Sequence, residues 1–338
     1  MKFFTGLFNP NWWPVMKADT TAPSYWLNWR FLLCAIWILA AMLFSALLIW
    51  KYEGNKTKRA NGTQQEAKGC SYKRESWQSC SKSIHPVWLL VYRIVAFGAL
   101  LALLLADVIS HSLGIFFFYT QWTFTLVTIY FGLASSISVH GCLRYCRKTD
   151  SERDNCVSTD VERGSYIAPA VGDNSDKPGT ITSLNNYDGP NCKIASVWGY
   201  ALQIIFQMCA GAVALTDSVF WLIIYPFLTA KDYKLGFLVV SVHTVNAVFL
   251  LGDTILNSMQ FPFFRIAYFV LWTCTFVVVQ WIIHAFVSMR WPYPFLDLSS
   301  PYAPIWYLAV GLLHLPCFGI FTLVFKIKRC CLSRSTSQ

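Results

Sequence analysis

Seven stretches of this chain are apolar for longer than a soluble core helix needs, and polar residues collect between them. The stretches run Phe31–Trp50, Val87–Leu105, Gln121–Leu143, Ser196–Tyr225, Leu235–Leu256, Phe264–Val287 and Ile305–Phe325. A hydrocarbon core about 30 Å thick takes about 20 apolar residues in a helix, and each stretch has that length. None alternates apolar with polar residues, which excludes a transmembrane β-barrel. The expected fold is all-α, a polytopic membrane helical bundle of seven transmembrane helices. Pro226 removes a backbone donor near the end of the long fourth stretch, where a tilt or an end is expected. The first run lacks a small-residue cleavage site and reads as a retained span rather than a signal peptide.

The same pattern divides the chain into segments. An aromatic-rich arm covers 1–30, a first span 31–50, a basic loop 51–86, a six-span core 87–325 and a basic, cysteine-containing tail 326–338. The core is interrupted at 144–195 by a stretch rich in Gly, Pro, Ser, Asn and Asp, expected to lack structure. Trp12, Trp13, Trp26 and Trp29 in the arm, with Trp291, Tyr293 and Tyr302 before the last span, read as interfacial anchors. A cap over a ligand cavity is the second role such an arm can play.

Composition agrees with a membrane setting. The chain is 55% hydrophobic and 13% charged, against about a quarter charged in soluble domains. Its net charge of +10 sits in loops, where Lys and Arg set orientation and meet anionic lipid. No basic groove interleaved with aromatics is present, so nucleic acid is not an expected partner. Seven spans place the loops alternately on two sides. The side with the N-terminal arm holds six basic residues: Lys2, Lys17, Arg30, Lys231, Lys234 and Arg290. The opposite side, with the C-terminus, holds twenty, eight of them between Lys51 and Lys82 and seven between Arg144 and Lys193. Positive charge stays cytosolic, so the N-terminus is expected to be lumenal or extracellular and the C-terminus cytosolic, in the endoplasmic reticulum or plasma membrane.

Two features test that orientation. Asn55-Lys56-Thr57 and Asn61-Gly62-Thr63 are glycosylation sequons, and Cys70 and Cys80 share their loop; a lumenal loop would allow both glycans and a disulfide. Against this, Cys330 and Cys331 follow Lys326-Ile327-Lys328-Arg329 directly after the last span, a setting for S-palmitoylation on the cytosolic side. Cys146, beside Arg144 and Arg147, makes the same argument.

Polar residues inside the spans are the candidates for chemistry, since an ionisable group in hydrocarbon costs a few kcal/mol unless it is paired (about 2.5 or more). On the fifth span His243, Asn246, Leu250, Asp253 and Asn257 recur at spacings of three and four, which puts them on one helical face. That stripe must face the bundle interior or a wet cavity. The third span opens with Gln121-Trp122-Thr123-Phe124, the fourth carries Thr216, Asp217 and Trp221, and the sixth carries Gln280 and His284. Thr123 and His243 both lie near the starts of spans that leave the arm side. A hydroxyl beside an imidazole is the minimum for nucleophilic catalysis, with His taking the proton as oxygen attacks. The plainer reading is a Thr bonded to its own helix backbone and a His cross-linking helices.

These residues carry a family resemblance. Leu215-Thr216-Asp217, Phe220-Trp221, His243-Thr244, Asp253 and the Trp291–Asp297 turn resemble the androgen-induced, FAR-17a-like membrane protein family, most closely its rolling stone-like plant branch. The likeness covers 87–325, so the first span, the arm and the 144–195 stretch look like additions. Some members of the family are intramembrane threonine hydrolases of fatty acid esters of hydroxy fatty acids. The resemblance implies Thr123 as nucleophile, in a Thr-Phe pair at a span start, and His243 as its essential histidine. Where the family has Asn-His-Gly-x-His, this chain has Val239-Val240-Ser241-Val242-His243.

The expected function is thus intramembrane hydrolysis of fatty-acyl esters, with Thr123 and His243 catalytic and Asn246, Asp253 and Asn257 as the supporting polar stripe. Membrane lipid is the expected partner, and neither cofactor nor metal is implied, as no Cys or His pair falls at ligand spacing on a helix. The alternative is a non-catalytic membrane protein of adhesion, fusion or scaffolding, in which the stripe holds helices together. A receptor lacks its Asp-Arg-Tyr and Asn-Pro-x-x-Tyr signatures, and a transporter its internal repeat.

Overall fold

A computed structural model of the chain describes residues 19–54, 77–80, 85–162, 190–229 and 235–335, with side chains from 19 to 147 and from 197 to 334 within those limits. Seven helices are long and apolar enough to cross a membrane: Trp29–Gly54, Pro86–His111, Tyr119–Arg147, Val197–Leu228, Phe237–Leu256, Phe263–Phe286 and Ala303–Arg334. The protein is a multi-pass, all-α membrane bundle, and these are its first to seventh spans.

Local chemistry sets the ends. Asn28 caps the first span, its side chain accepting from the Phe31 amide at 2.9 Å. The second span opens on Pro86, where the missing N–H costs no helical bond. It continues to His111, past the expected end at Leu105, so Asp107 and His111 lie on the helix. Ser112, at φ 62°, turns the chain through a short 3-10 segment, Leu113–Phe117, into the third span. In the fourth span, Phe220–Leu228 widens into π-helical turns around Pro226. The ring removes one amide from the ladder, and a π-turn re-phases the bonds without ending the helix.

Helix extends into both ends of the 144–195 stretch. The third helix runs from Tyr119 to Glu162 and the fourth starts at Pro190. No Gly or Pro lies between Gly141 and Gly164, so a helix nucleated in the membrane elongates at little cost. Residues 163–189 lie outside the described residues, as do both sequons, Cys70, Trp12 and Trp13. Cys80 is a free thiol that donates to the Ile255 carbonyl at 3.1 Å.

The fourth span sits at the centre, packed on the third, fifth, sixth and seventh. Gly211 allows one of these approaches, since a Cβ there would collide with the Phe269 ring. Phe124, Phe131, Phe206, Phe269 and Phe318 fill the core without exposure. The first span packs outside, on the sixth and seventh, and is fixed at both ends. At one end Tyr25 meets the Trp291–Asp297 turn; at the other Glu53 pairs with Arg265 at 3.0 Å and accepts from Tyr200 and Tyr268. Trp26 packs edge-on against Phe31 while Trp29 is exposed, as an interfacial anchor would be.

The fifth span is not continuous. It consists of Phe237–Val242 and Val245–Leu256, interrupted at His243–Thr244.

Candidate functional site

The polar stripe of the fifth span faces inward as its spacing requires: Asn246, Leu250, Asp253 and Asn257 are fully buried and His243 is nearly so. It divides into two halves with different partners. Ten residues separate His243 from Asp253, about 15 Å along a helix.

In the half near Asp253, every group is paired. Asp253 binds the Arg93 guanidinium at 2.7 Å, with both side chains at 0% exposure. Tyr130 and Asn257 donate to the same carboxylate at 2.5 and 3.0 Å, and Arg93 also donates to Ser138 at 2.8 Å. Lys328, from the seventh span, donates to the carbonyls of Thr254, at 2.7 Å, and Asn257 at the end of the same helix. Asp253 and Asn257 thus tie the fifth span to the second, third and seventh.

In the other half, the helix is interrupted at His243 and its groups find other partners. The His243 carbonyl, which an unbroken helix would pair with the Ala247 amide, accepts from Trp221 Nε1 at 2.9 Å. The Ala247 amide turns to the Asn246 side chain at 2.7 Å. The imidazole lies flat on Phe220, centroids 3.8 Å apart and planes 5° off parallel. Its Nδ1 is 3.4 Å from Asp217 Oδ1, with no hydrogen bond formed at either atom, and Asn246 and Thr216 also border that carboxylate. Asp217, Phe220 and Trp221, three residues of one short sequence motif, thus converge on one histidine.

His243 borders a cavity of about 650 Å³, within the usual range of small-molecule sites, about 300–1,000 Å³. The walls are chiefly apolar, with Leu215, Val219, Ile224, Val239, Phe276 and Val277 among them. The cavity lies at the end of the bundle that carries the second–third and sixth–seventh connections, the arm side. Trp291, Tyr293 and Leu296 of the sixth–seventh turn form part of it. That turn is held from the arm: Tyr25 donates to Asp297 at 2.8 Å and accepts from Trp291 Nε1 at 2.9 Å and the Leu298 amide at 3.1 Å. Burial and the Asp297 carboxylate push the Tyr25 phenol well above its ordinary value. Behind the turn, His284 stacks on Trp291 at 3.8 Å, and Gln280 donates to the Phe117 carbonyl at 3.1 Å.

A second histidine–carboxylate pair lies on the same cavity. Asp107 Oδ1 is 2.6 Å from His111 Nδ1, and Gln121 donates to Asp107 Oδ2 at 2.5 Å. Sequence reasoning missed this pair because the second span was ended before it. The i, i+4 spacing of Asp107 and His111 was the available signal.

Thr123 is fully buried on the third span, four residues after Tyr119. Thr128, Ser135, Thr216, Thr254 and Thr273 all bond the carbonyl four residues back, as helical hydroxyls usually do. The Thr123 hydroxyl does not, and it has no hydrogen-bond partner. Its polar neighbour is Tyr119, which borders the cavity and shares a 2.8 Å hydrogen bond with Thr273. Thr123 itself is not among the cavity-lining residues, and no hydrogen bond joins it to His243. Comparisons with protein-family models, with curated proteins and with solved structures found no match to this chain.

Proposed function

We propose that this protein hydrolyses fatty-acyl esters inside the membrane, taking the acyl chain into the apolar cavity on the arm side. The observation that carries the reading is a histidine backed by a carboxylate, His243 on Asp217, at the wall of an apolar cavity. Closing the 3.4 Å gap to Asp217 into a hydrogen bond at Nδ1 would leave Nε2 to act as general base. Thr123, the nucleophile implied by the family resemblance, supports it with a buried hydroxyl that no helix carbonyl occupies.

The chemistry then has two stages. Thr123 Oγ attacks the acyl carbonyl while His243 takes its proton, and the alcohol leaves with that proton. Water next attacks the acyl-threonine, again through His243, and releases the fatty acid. Tyr119 must swing aside to admit the carbonyl to Thr123. The protein lies in the endoplasmic reticulum or plasma membrane in this reading, with the cavity on the lumenal or extracellular side.

A second reading, a non-catalytic protein of adhesion, fusion or scaffolding, is favoured by the lack of a hydrogen bond between Thr123 and His243. Turnover separates the two. Purified protein in lipid vesicles is given a fluorogenic long-chain acyl ester, beside His243→Ala and Thr123→Ala. Hydrolysis by the parent and none by either variant is expected; equal rates for all three refute the hydrolase.

A further inference from the structure

The described cysteines sort by position. Cys34, Cys142, Cys209, Cys274 and Cys317 are buried, Cys80 is half-buried, and Cys146, Cys330 and Cys331 are exposed. All three exposed thiols lie where the third and seventh spans leave the bundle at the end opposite the cavity.

Depth places them together. Cys146 follows Tyr119, the first residue of its span, by 27 residues, and Cys330 follows Ala303 by 27. At 1.5 Å per residue both stand about 40 Å along their helices, beyond a core about 30 Å thick and within the headgroup layer. Arg144 and Arg147 flank the first thiol, and Lys326, Arg329 and Arg334 the other two.

Among the described residues, the surface beneath Cys330 and Cys146 is unpartnered and apolar. Cys330 stands over Ile327, Leu323 and Ile320, three, seven and ten residues back and all more than half exposed. Cys146 stands over Leu143 and Val139 at the same first two spacings, both exposed. Residues so spaced share one helical face, and a long side chain points back along its helix toward the N-terminus. A chain attached at either sulfur would therefore run down a lipid-facing strip into the bilayer. Cys142, one turn below Cys146, faces the core instead.

We propose that Cys146, Cys330 and Cys331 are S-acylation sites for long-chain fatty acyl groups, at the membrane face opposite the cavity. The acyl donor is a long-chain acyl-coenzyme A. The cysteine sulfur attacks its thioester carbonyl, a new S–C bond forms, and coenzyme A leaves as the thiol with the cysteine proton. One thioester replaces another, with no change of oxidation state. The inference does not depend on the hydrolase reading.

The test uses the full chain expressed in cultured cells. Free thiols are blocked, thioesters are cleaved with neutral hydroxylamine, and the released thiols take a polyethylene glycol mass tag. Hydroxylamine-dependent tags are expected on the parent, with fewer on Cys330→Ser/Cys331→Ser and on Cys146→Ser, and none on the triple variant. All the replaced side chains are exposed, and a gel-filtration profile matching the parent confirms folding. No hydroxylamine-dependent tag on the parent overturns the proposal, as do tags that persist on the triple variant.

Discussion

Replacing Asp253 with asparagine would strand the Arg93 guanidinium in the bundle interior. The pair is 2.7 Å apart at its closest atoms and neither side chain is exposed. With charge centres about 4 Å apart, the attraction is about 4 kcal/mol at an effective dielectric of about 20. Asparagine keeps bonds to Tyr130 and Asn257 but leaves the cation unneutralised, and breaking such buried pairs costs about 3–5 kcal/mol. Arg93→Met should cost a similar amount by leaving Asp253 charged. The combined Arg93→Met/Asp253→Leu variant removes both charges, so it should recover about 2 kcal/mol relative to the sum of the singles. Reversible unfolding in mixed detergent micelles measures all four proteins. A single variant that loses less than about 1 kcal/mol, the scale of an exposed pair, would refute the reasoning. So would a double variant as unstable as the summed singles.

Other expectations follow from the same contacts. Asp217→Asn should lower ester turnover by about 10²–10⁴-fold, the usual worth of an acid–base group, while leaving unfolding unchanged within about 1 kcal/mol; steady-state kinetics and micelle unfolding together check it. Tyr25→Phe removes the hydroxyl that joins Asp297, Trp291 and Leu298, so hydrogen exchange at 291–298 should quicken with a loss of about 1–3 kcal/mol. Because the Tyr25 phenol is raised in the folded protein, its contribution is complete below its unfolded value, about pH 10, and is lost as pH rises toward the folded value. A pH series of the same exchange rates shows whether the turn holds to that limit. Gly211→Ala should cost about 1–3 kcal/mol by driving a methyl into Phe269, read from the unfolding midpoint.

The spans were legible because apolar length is a one-dimensional property, and lipid admits no other element at that length. The inward face of the fifth span was legible for a related reason: polar groups at spacings of three and four have nowhere else to point. What a stripe cannot reveal is its partners. Arg93 is the one basic residue that the loop count leaves inside a span, yet its match to Asp253 joins positions 160 residues apart. The break at His243–Thr244 contains neither Gly nor Pro. It arises from Trp221 and Asn246 competing for backbone groups, a tertiary effect. Asp217 was visible on the fourth span, but its place beside His243 depends on how the fourth and fifth spans pack.

The most direct test of the hydrolase reading is covalent capture of its nucleophile. A long-chain fluorophosphonate phosphonylates only a hydroxyl that a base has activated. Incubated with the protein in vesicles and followed by peptide mass spectrometry, it should leave one adduct, on Thr123, that is lost in His243→Ala and reduced in Asp217→Asn. Absence of any adduct, or labelling of equal extent in Thr123→Ala, would contradict intramembrane threonine catalysis.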